Sequence, residues 1–191
     1  VGREDCDNLL EKLKHGLFKI EEHYLLKADW KDATKEHLAI NEVCVRGLSP
    51  SELLETEVSV NGEYLSTYSS DGLIAATPTG STAYSMSCGG PIISPQSKCI
   101  CLTPISPHNL THRPLIIPED SEIEFRISHS KNQVSLHLDS QNYLLNPPAR
   151  ILIRKAEKKL KLVRMENNSF FSAIRNKLMW GTNLRNTNKN D

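Results

Sequence analysis

Asn61-Gly62 separates two runs of alternating polar and apolar residues, at positions 55–60 and 63–69. Both positions of a two-residue hairpin turn need positive φ angles, which Asn and Gly adopt at little cost. The dipeptide between two such runs therefore predicts a β-hairpin. No other short pattern in this chain constrains the fold as much, because this one specifies two strands and their pairing together.

Short strand-like runs continue along most of the chain. We expect them at residues 18–26, 37–45, 73–76, 98–103, 122–128, 133–138, 141–145, 150–155 and 158–163. A polar connection at 29–35 suggests that the first two form a hairpin, with Asn41 and Glu42 in the middle of its second strand. Four prolines between positions 104 and 118 argue against an interior strand and predict an ordered loop. Roughly ten short strands with brief turns predict a mainly β fold, a multi-stranded layered β-sandwich.

A short helix is expected at the N-terminus, with Asp7 as its cap and Gly16 at its end. Its apolar face consists of Leu9, Leu10 and Leu13.

The C-terminal segment predicts an amphipathic helix, because four apolar side chains recur there at helical spacing. They are Phe170, Phe171, Ile174 and Leu178. Such a helix either packs on its own sheet or covers a neighbouring domain or subunit, and the pattern does not decide between the two. The polar residues 183–191 are expected to be disordered.

Composition excludes several classes of protein. The 191 residues carry 23 basic and 23 acidic side chains, so no global field attracts nucleic acid or an anionic membrane, and neither is expected as a partner. No apolar run is as long as a membrane span and no signal peptide is present, which predicts a cytoplasmic protein. Five cysteines without a C-x-x-C pair argue against a disulfide framework and a zinc site. The chain starts at Val1 rather than Met, and we expect it to be a fragment.

Residues 71–91 contain the chemistry that a polar ligand would need. A short apolar strand at 73–76 leads into a turn with Pro78, Gly80 and several hydroxyl side chains. Hydroxyls donate and accept hydrogen bonds, glycine lets the backbone approach a ligand, and Tyr84 offers a flat face to a ring.

Other short motifs are weaker. The two oxygens of the Glu42 carboxylate can accept from two adjacent hydroxyls, as in a ribose diol, and Asn41 can read a ring edge, but such a dipeptide is more often an exposed strand pair. Asp71-Gly72 is usually only a turn. The sequence has no phosphate loop, no Rossmann fingerprint and no nucleophile elbow. His137, between two leucines, is explained by a solvent-facing strand position.

Several longer motifs, in order along the chain, resemble the C-terminal domain of bacterial NAD kinases. They are Asn41-Glu42 and the segments 70–74, 77–87, 89–92, 103–108, 113–115 and 139–141. The resemblance runs from about Leu9 to Trp180 and implies ATP-dependent phosphorylation of the adenosine ribose 2′-hydroxyl of NAD, which gives NADP. It also implies Mg²⁺ with the ATP, and a homo-oligomer built through the β domain.

The same resemblance implies roles for individual residues. Asn41 and Glu42 would meet the adenosine half of NAD and its ribose hydroxyls, and Asp71 would accept from the nicotinamide carboxamide. The remaining residues would line the pocket or lie close to it, with the Tyr84 ring against a base: Ser81, Thr82, Ala83, Tyr84, Ser87 and Gln141.

One departure from the family pattern concerns catalysis. The Gly-Gly-Asp-Gly motif that supplies the family's general base and holds ATP phosphates is absent from this chain. We therefore expect a lead-in helix at 1–17, an all-β NAD-binding domain at 18–165, and a C-terminal helix and tail at 166–191. No catalytic or metal-binding residue is assigned to this chain, which alone is expected to be inactive. The alternatives are an inactive dinucleotide-binding or oligomerisation module, and a lipid kinase on a related fold.

Overall fold

The structure, a computed structural model, describes residues 3–49, 53–130, 132–165 and 169–180. The chain divides into two compact units, one formed by the residues before 23 and after 160, the other by residues 23–160. Within the described ranges, no helix is long and apolar enough to cross a membrane. The predicted disordered tail at 183–191 lies outside the described residues.

The described ranges contain twelve strands and three short α-helices. The strands are β1 (Phe18–Trp30), β2 (His37–Ala39), β3 (Glu42–Gly47), β4 (Leu54–Val60), β5 (Glu63–Ser70), β6 (Gly72–Ala76), β7 (Cys99–Ile105), β8 (Leu115–Pro118), β9 (Ile123–Ile127), β10 (Val134–Leu138), β11 (Gln141–Leu145) and β12 (Ala149–Met165). The helices are α1 (Arg3–Lys14), α2 (Tyr84–Ser87) and α3 (Phe170–Leu178), and a 3₁₀ turn covers Gly80–Thr82.

The strands form two six-stranded antiparallel sheets. The first sheet has the order β2-β1-β12-β9-β4-β5, and the second has the order β11-β10-β3-β6-β7-β8. One face of each sheet is apolar, and the buried residues of both faces form a single main core that includes Val45, Leu73, Phe125 and Ile151. The predicted mainly β sandwich with a helix at each end is confirmed.

The hairpin at Asn61-Gly62 is also confirmed. Val60 pairs with Glu63, and the two turn residues have φ angles of 53° and 81°. Both turn positions therefore adopt the left-handed backbone that the dipeptide predicts.

The predicted strand at 37–45 is wrong in its extent. It consists of β2, which pairs with β1 in the first sheet, and β3, which pairs with β6 and β10 in the second. The chain passes from one sheet to the other at residues 40–41, so Asn41 and Glu42 lie at the start of a strand and not in its middle. Alternation alone could not show this crossing, because the core residues Ala39, Val43 and Val45 keep the same period of two on both sides of it.

Two further strand predictions differ from the structure. The separate runs at 150–155 and 158–163 are one continuous strand, β12. Pro104 lies in β7, an interior strand, paired with Leu73 of β6. The pairing of β8 with β7 ends at Leu102, so no strand of the described ranges pairs with the other side of β7 at Pro104, where a missing N–H costs no ladder hydrogen bond.

The helix ends agree only in part with the sequence. α1 begins at Arg3 rather than after Asp7. Gly16 ends α1 as predicted, with φ +68°. α3 has the predicted extent, and the Ser169 hydroxyl caps it by accepting from the N–H of Ser172 at 3.1 Å.

Candidate functional site

The loop that follows β6 covers the outer face of the second sheet. Val43 and Val45 of β3 point into the main core, whereas Cys44 between them belongs to a second cluster with Ile74 and Ala76. Tyr84 of α2 packs against this second cluster. The hydroxyl-rich loop therefore lies on the face of the second sheet that is turned away from the sandwich core.

Hydrogen bonds inside the loop fix its path. The Ser81 hydroxyl is fully buried, donates to the carbonyl of Pro78 at 2.6 Å and accepts from the N–H of Ile93 at 3.0 Å. The Ser85 and Thr103 hydroxyls share a hydrogen bond of 2.8 Å beneath α2. These buried hydroxyls satisfy backbone and side-chain groups of the protein itself, so part of the hydroxyl-rich run is structural.

Asp139 holds the backbone at the start of β3. Its carboxylate accepts hydrogen bonds from the N–H groups of Ile40 at 2.7 Å, Asn41 at 2.8 Å and Glu42 at 3.1 Å. Asp139 follows β10 with a φ of 51°, and its own N–H donates to the Glu42 carbonyl at 3.1 Å. Three donors on one carboxylate fix this segment firmly, because hydrogen bonds to a charged group are stronger than neutral ones.

The loop holds the same segment from the other side. The N–H of Thr77 donates to the Asn41 carbonyl at 2.8 Å, and its hydroxyl donates to the Ile40 carbonyl at 2.6 Å. At Gly80 a Cβ atom would lie 2.0 Å from the Asn41 carbonyl oxygen, so only glycine fits there. Asn41 and Glu42 are thus positioned by β10 and by the loop together.

A pocket of about 250 Å³ opens beside this segment. It is lined by Glu42, Cys44, Arg46, Tyr84, His137 and Asp139. Three of these side chains come from alternate positions of β3, and His137 lies opposite Cys44 on β10. The pocket combines two carboxylates, one guanidinium, one imidazole and one aromatic ring, which is a suitable set for a ligand with hydroxyl, ring and anionic groups.

Burial changes the protonation of the Glu42 carboxyl. Its pKa is raised to about 7, first by burial and then by the neighbouring charge of Asp139. The Oε2 atom of Glu42 is buried and has no hydrogen-bond partner among the described residues. A buried carboxylate oxygen without a donor disfavours the charged form, which agrees with the raised pKa of Glu42.

The guanidinium of Arg46 lies 5.9 Å from the centre of the Tyr84 ring. The pKa of His137 is lowered, first by burial and then by the positive charge of Arg46. Burial also raises the pKa of the Cys44 thiol to about 12, so this cysteine is a neutral part of the pocket floor.

The structure brings some of the predicted site residues together. Glu42 and Tyr84 line one pocket, and Asn41 adjoins it. Asp71 lies at the other end of the β3–β6 pair, because Glu42 pairs with Ala76 whereas Arg46 pairs with Gly72. Four residues of strand separate these ends by about 13 Å.

The remaining predicted residues lie in different surroundings. Ser81 is fully buried inside the loop, whereas Thr82 and Ser87 are exposed on it and Ala83 is half-buried. Gln141 pairs with Leu138, a core residue, and its side chain accepts from the Tyr143 hydroxyl at 2.6 Å. Paired residues share a face, so Gln141 points away from the face that carries Glu42 and Tyr84.

Sequence reasoning missed three polar residues of the pocket: Arg46, His137 and Asp139. Alternation along β3 could have placed Arg46 on the face of Glu42, since they are four residues apart. Asp139 stood in the sequence in a turn and in the family-like segment 139–141, but no role was assigned to it. Its role depends on a pairing of β10 with β3 that no local pattern indicates.

No group of three or more His, Cys, Asp or Glu side chains in the described ranges could hold a metal ion.

Comparison with known proteins agrees with this geometry. The family model of the ATP-NAD kinase C-terminal domain matches residues 40–165. An NAD kinase from Flavobacterium johnsoniae is 40% identical over 190 residues, which are 97% of this chain and 65% of that protein. An NAD kinase from Bacteroides fragilis is 36% identical over 97% of this chain and 64% of its own length. The chain thus spans just under two thirds of these relatives.

Solved structures show the same likeness. A yeast NADH kinase in complex with NADH superposes with a TM-score of 0.86 at 30% identity, over 96% of this chain and 55% of that one. An Archaeoglobus fulgidus NAD kinase in complex with ATP gives a TM-score of 0.75 at 25% identity, over 91% of this chain and 65% of that one. The motifs, the fold and the matched family model together assign this chain to the ATP-NAD kinase C-terminal domain family.

Proposed function

We propose that the protein containing this chain is an NAD kinase, which transfers the γ-phosphoryl group of ATP to the adenosine ribose 2′-hydroxyl of NAD and so forms NADP. In this proposal the chain supplies most of the NAD pocket. The observation that carries it is the pocket at the start of β3, which the half-buried Glu42 and the Tyr84 ring line together.

The chemistry of the pocket supports the proposed roles of its residues. The Glu42 carboxylate accepts from ribose hydroxyls, and the Asn41 amide reads the adenosine. Tyr84 provides a ring face for a base. Asp71 accepts from the nicotinamide carboxamide at the far end of the β3–β6 pair.

The loop residues have supporting roles in the proposal. Thr82, Ala83 and Ser87 stay predicted contacts of NAD on the loop that carries Tyr84, whereas Ser81 acts through the buried hydrogen bonds that shape the loop. Gln141 stays a prediction, and its present position on the other face of β11 does not support a direct contact.

The family relationship supports ATP as the phosphoryl donor, since a neighbouring structure is an NAD kinase in complex with ATP. The general base and the ATP phosphate loop are proposed to lie in sequence that the longer relatives carry and this chain does not. We retain the division at residues 17 and 165, a cytoplasmic location and a homo-oligomer as parts of the same proposal.

The test measures NADP formation from NAD and ATP with the full gene product, beside the 191-residue chain alone. We expect the full product to be active, and the chain alone to bind NAD without forming NADP. A full product that binds NAD but makes no NADP would instead indicate the inactive dinucleotide-binding module. Activity of the chain alone would overturn the placement of the base.

Binding of NAD is checked on the chain itself with the variants Asp71→Ala and Tyr84→Ala. Both are expected to lose affinity, since each removes a proposed contact at a different end of the pocket. Glu157→Gln, on β12, serves as a surface control and should bind NAD like the parent chain. Unchanged affinity in both site variants would contradict the assignment of the pocket.

A further inference from the structure

Among the described residues that line the pocket, Arg46 alone has a permanent positive charge. The other charged groups of the lining are the carboxyls of Glu42 and Asp139, and His137 is held towards its neutral form by burial and by Arg46 itself. A guanidinium keeps its charge at every physiological pH. Any anionic part of a ligand in this pocket therefore has Arg46 as its cationic partner.

The guanidinium is available for a ligand. In the described part of the chain no ion pair involves Arg46, although Arg126, Arg150 and Arg154 each pair with carboxylates. The Arg46 side chain is exposed, and its guanidinium lies beside the Tyr84 ring. An arginine that rests on an aromatic face keeps its N–H groups free to donate in the plane of the guanidinium.

Arg46 lies on the same strand as Glu42, which is proposed to bind the adenosine end of the dinucleotide, and close in the sheet to Asp71, which is proposed to bind the nicotinamide end. Arg46 lies four residues from Glu42 on the same strand face and pairs with Gly72, next to Asp71. A dinucleotide consists of two nucleosides joined by a diphosphate, so its anionic part lies between the two ends. The Arg46 guanidinium lies 5.9 Å from the centre of the Tyr84 ring, and Arg46 lines the same pocket as Glu42.

We propose that Arg46 binds the diphosphate of the dinucleotide and thereby makes the pocket select dinucleotides over uncharged nucleosides. The inference rests on the proposed function, because it takes the ligand of the Glu42–Tyr84 pocket to be NAD. Guanidinium and phosphate match in geometry, since two parallel N–H groups can donate to two phosphate oxygens. Arg46 contacts the substrate and not the reacting hydroxyl, so it determines affinity and specificity.

The test compares binding of NAD and of adenosine to the 191-residue chain by calorimetry, for the parent chain, Arg46→Gln and Arg46→Lys. Arg46→Gln is expected to weaken NAD binding about tenfold or more and to leave adenosine binding unchanged. Arg46→Lys keeps the charge without the paired donors, so its NAD affinity should fall between the two. Thermal unfolding of each variant checks that the fold is retained.

Arg150→Gln is the matched control. Arg150 is an exposed arginine of β12 in the first sheet, paired with Glu124, and does not line the pocket. Its replacement should leave NAD affinity unchanged.

The outcomes separate this inference from the proposed function. If the parent chain binds NAD and Arg46→Gln binds it within twofold, the role of Arg46 is overturned and the proposed function stands. If Arg46→Gln weakens NAD and adenosine equally, Arg46 acts by holding Tyr84 and the diphosphate contact is wrong. If neither the parent chain nor the full gene product binds NAD, the proposed function fails and the inference fails with it.

Discussion

The carboxylate of Asp139 accepts a hydrogen bond from the backbone N–H of Asn41 at 2.8 Å, although 98 positions of sequence separate the two residues. The N–H groups of Ile40 and Glu42 donate to the same carboxylate. Asp139 therefore determines where the pocket residue Glu42 begins its strand. The shape of the pocket therefore depends on Asp139, whose carboxylate holds the backbone of β3 in place.

Asp139→Asn is expected to lower the free energy of unfolding by about 2 kcal/mol, because the amide has one acceptor oxygen for three N–H donors. Urea unfolding of the chain measures the change. Asp120→Asn, an exposed turn residue, is the control and should stay within about 0.5 kcal/mol of the parent. Equal stabilities of the two variants would show that the three hydrogen bonds do not hold the segment.

Gly80→Ala is expected to destabilise the chain by about 3 kcal/mol, since the new Cβ atom would lie 2.0 Å from the Asn41 carbonyl oxygen and the backbone there has little freedom to move. Thermal or urea unfolding measures the loss. Gly89→Ala provides the comparison, because Gly89 has open space around it but a φ of +82°. Its cost should be only about 1 kcal/mol, from the left-handed backbone. A smaller effect at Gly80 than at Gly89 would contradict the close contact with Asn41.

Glu42→Gln is expected to change how stability depends on pH. The folded state raises the pKa of Glu42 from its ordinary 4.5 to about 7, so between these values the folded chain binds more protons than the unfolded chain. The Glu42 contribution to stability therefore falls as pH rises from about 4.5 to about 7, and stays low above that. Because glutamine does not titrate, the variant should lack this decrease in stability with rising pH.

The measurement is urea unfolding at pH 5 and pH 8. The free energy of unfolding of Glu42→Gln, relative to that of the parent, should rise by about 1 to 2 kcal/mol from pH 5 to pH 8. This is less than the full pKa difference implies, because solvent reaches part of the carboxylate and weakens the effect. Glu55→Gln, an exposed carboxylate on β4, serves as the matched control. A relative stability of Glu42→Gln that is flat with pH would mean that the carboxyl is not buried as described.

Ser81→Ala is expected to destabilise the chain by about 1 to 3 kcal/mol, because the buried N–H of Ile93 loses its acceptor. Ser87→Ala, at an exposed position of the same loop, should leave stability unchanged. Urea unfolding of both variants compares the buried Ser81 with the exposed Ser87 of the same loop. If Ser81→Ala is as stable as Ser87→Ala, the loop is not held by the buried hydroxyl.

The β-sandwich could be predicted from the sequence because its evidence is local. Alternation gives strands, and Asn61-Gly62 gives a turn that only residues tolerant of positive φ can form. Residues 77–87 predicted a candidate binding loop for the same reason, since glycine and small hydroxyl residues are dense there. Local chemistry thus predicted the fold class and two members of the pocket, Glu42 and Tyr84.

The order of the strands and the composition of the pocket were decided only by the tertiary structure. The chain changes sheets between β2 and β3, and β10 returns beside β3 to bring His137 and Asp139 against Glu42. These contacts join residues nearly a hundred positions apart. Hydrogen-bond partners and burial at such distances depend on how the sheets assemble, and local periodicity carries no information about that.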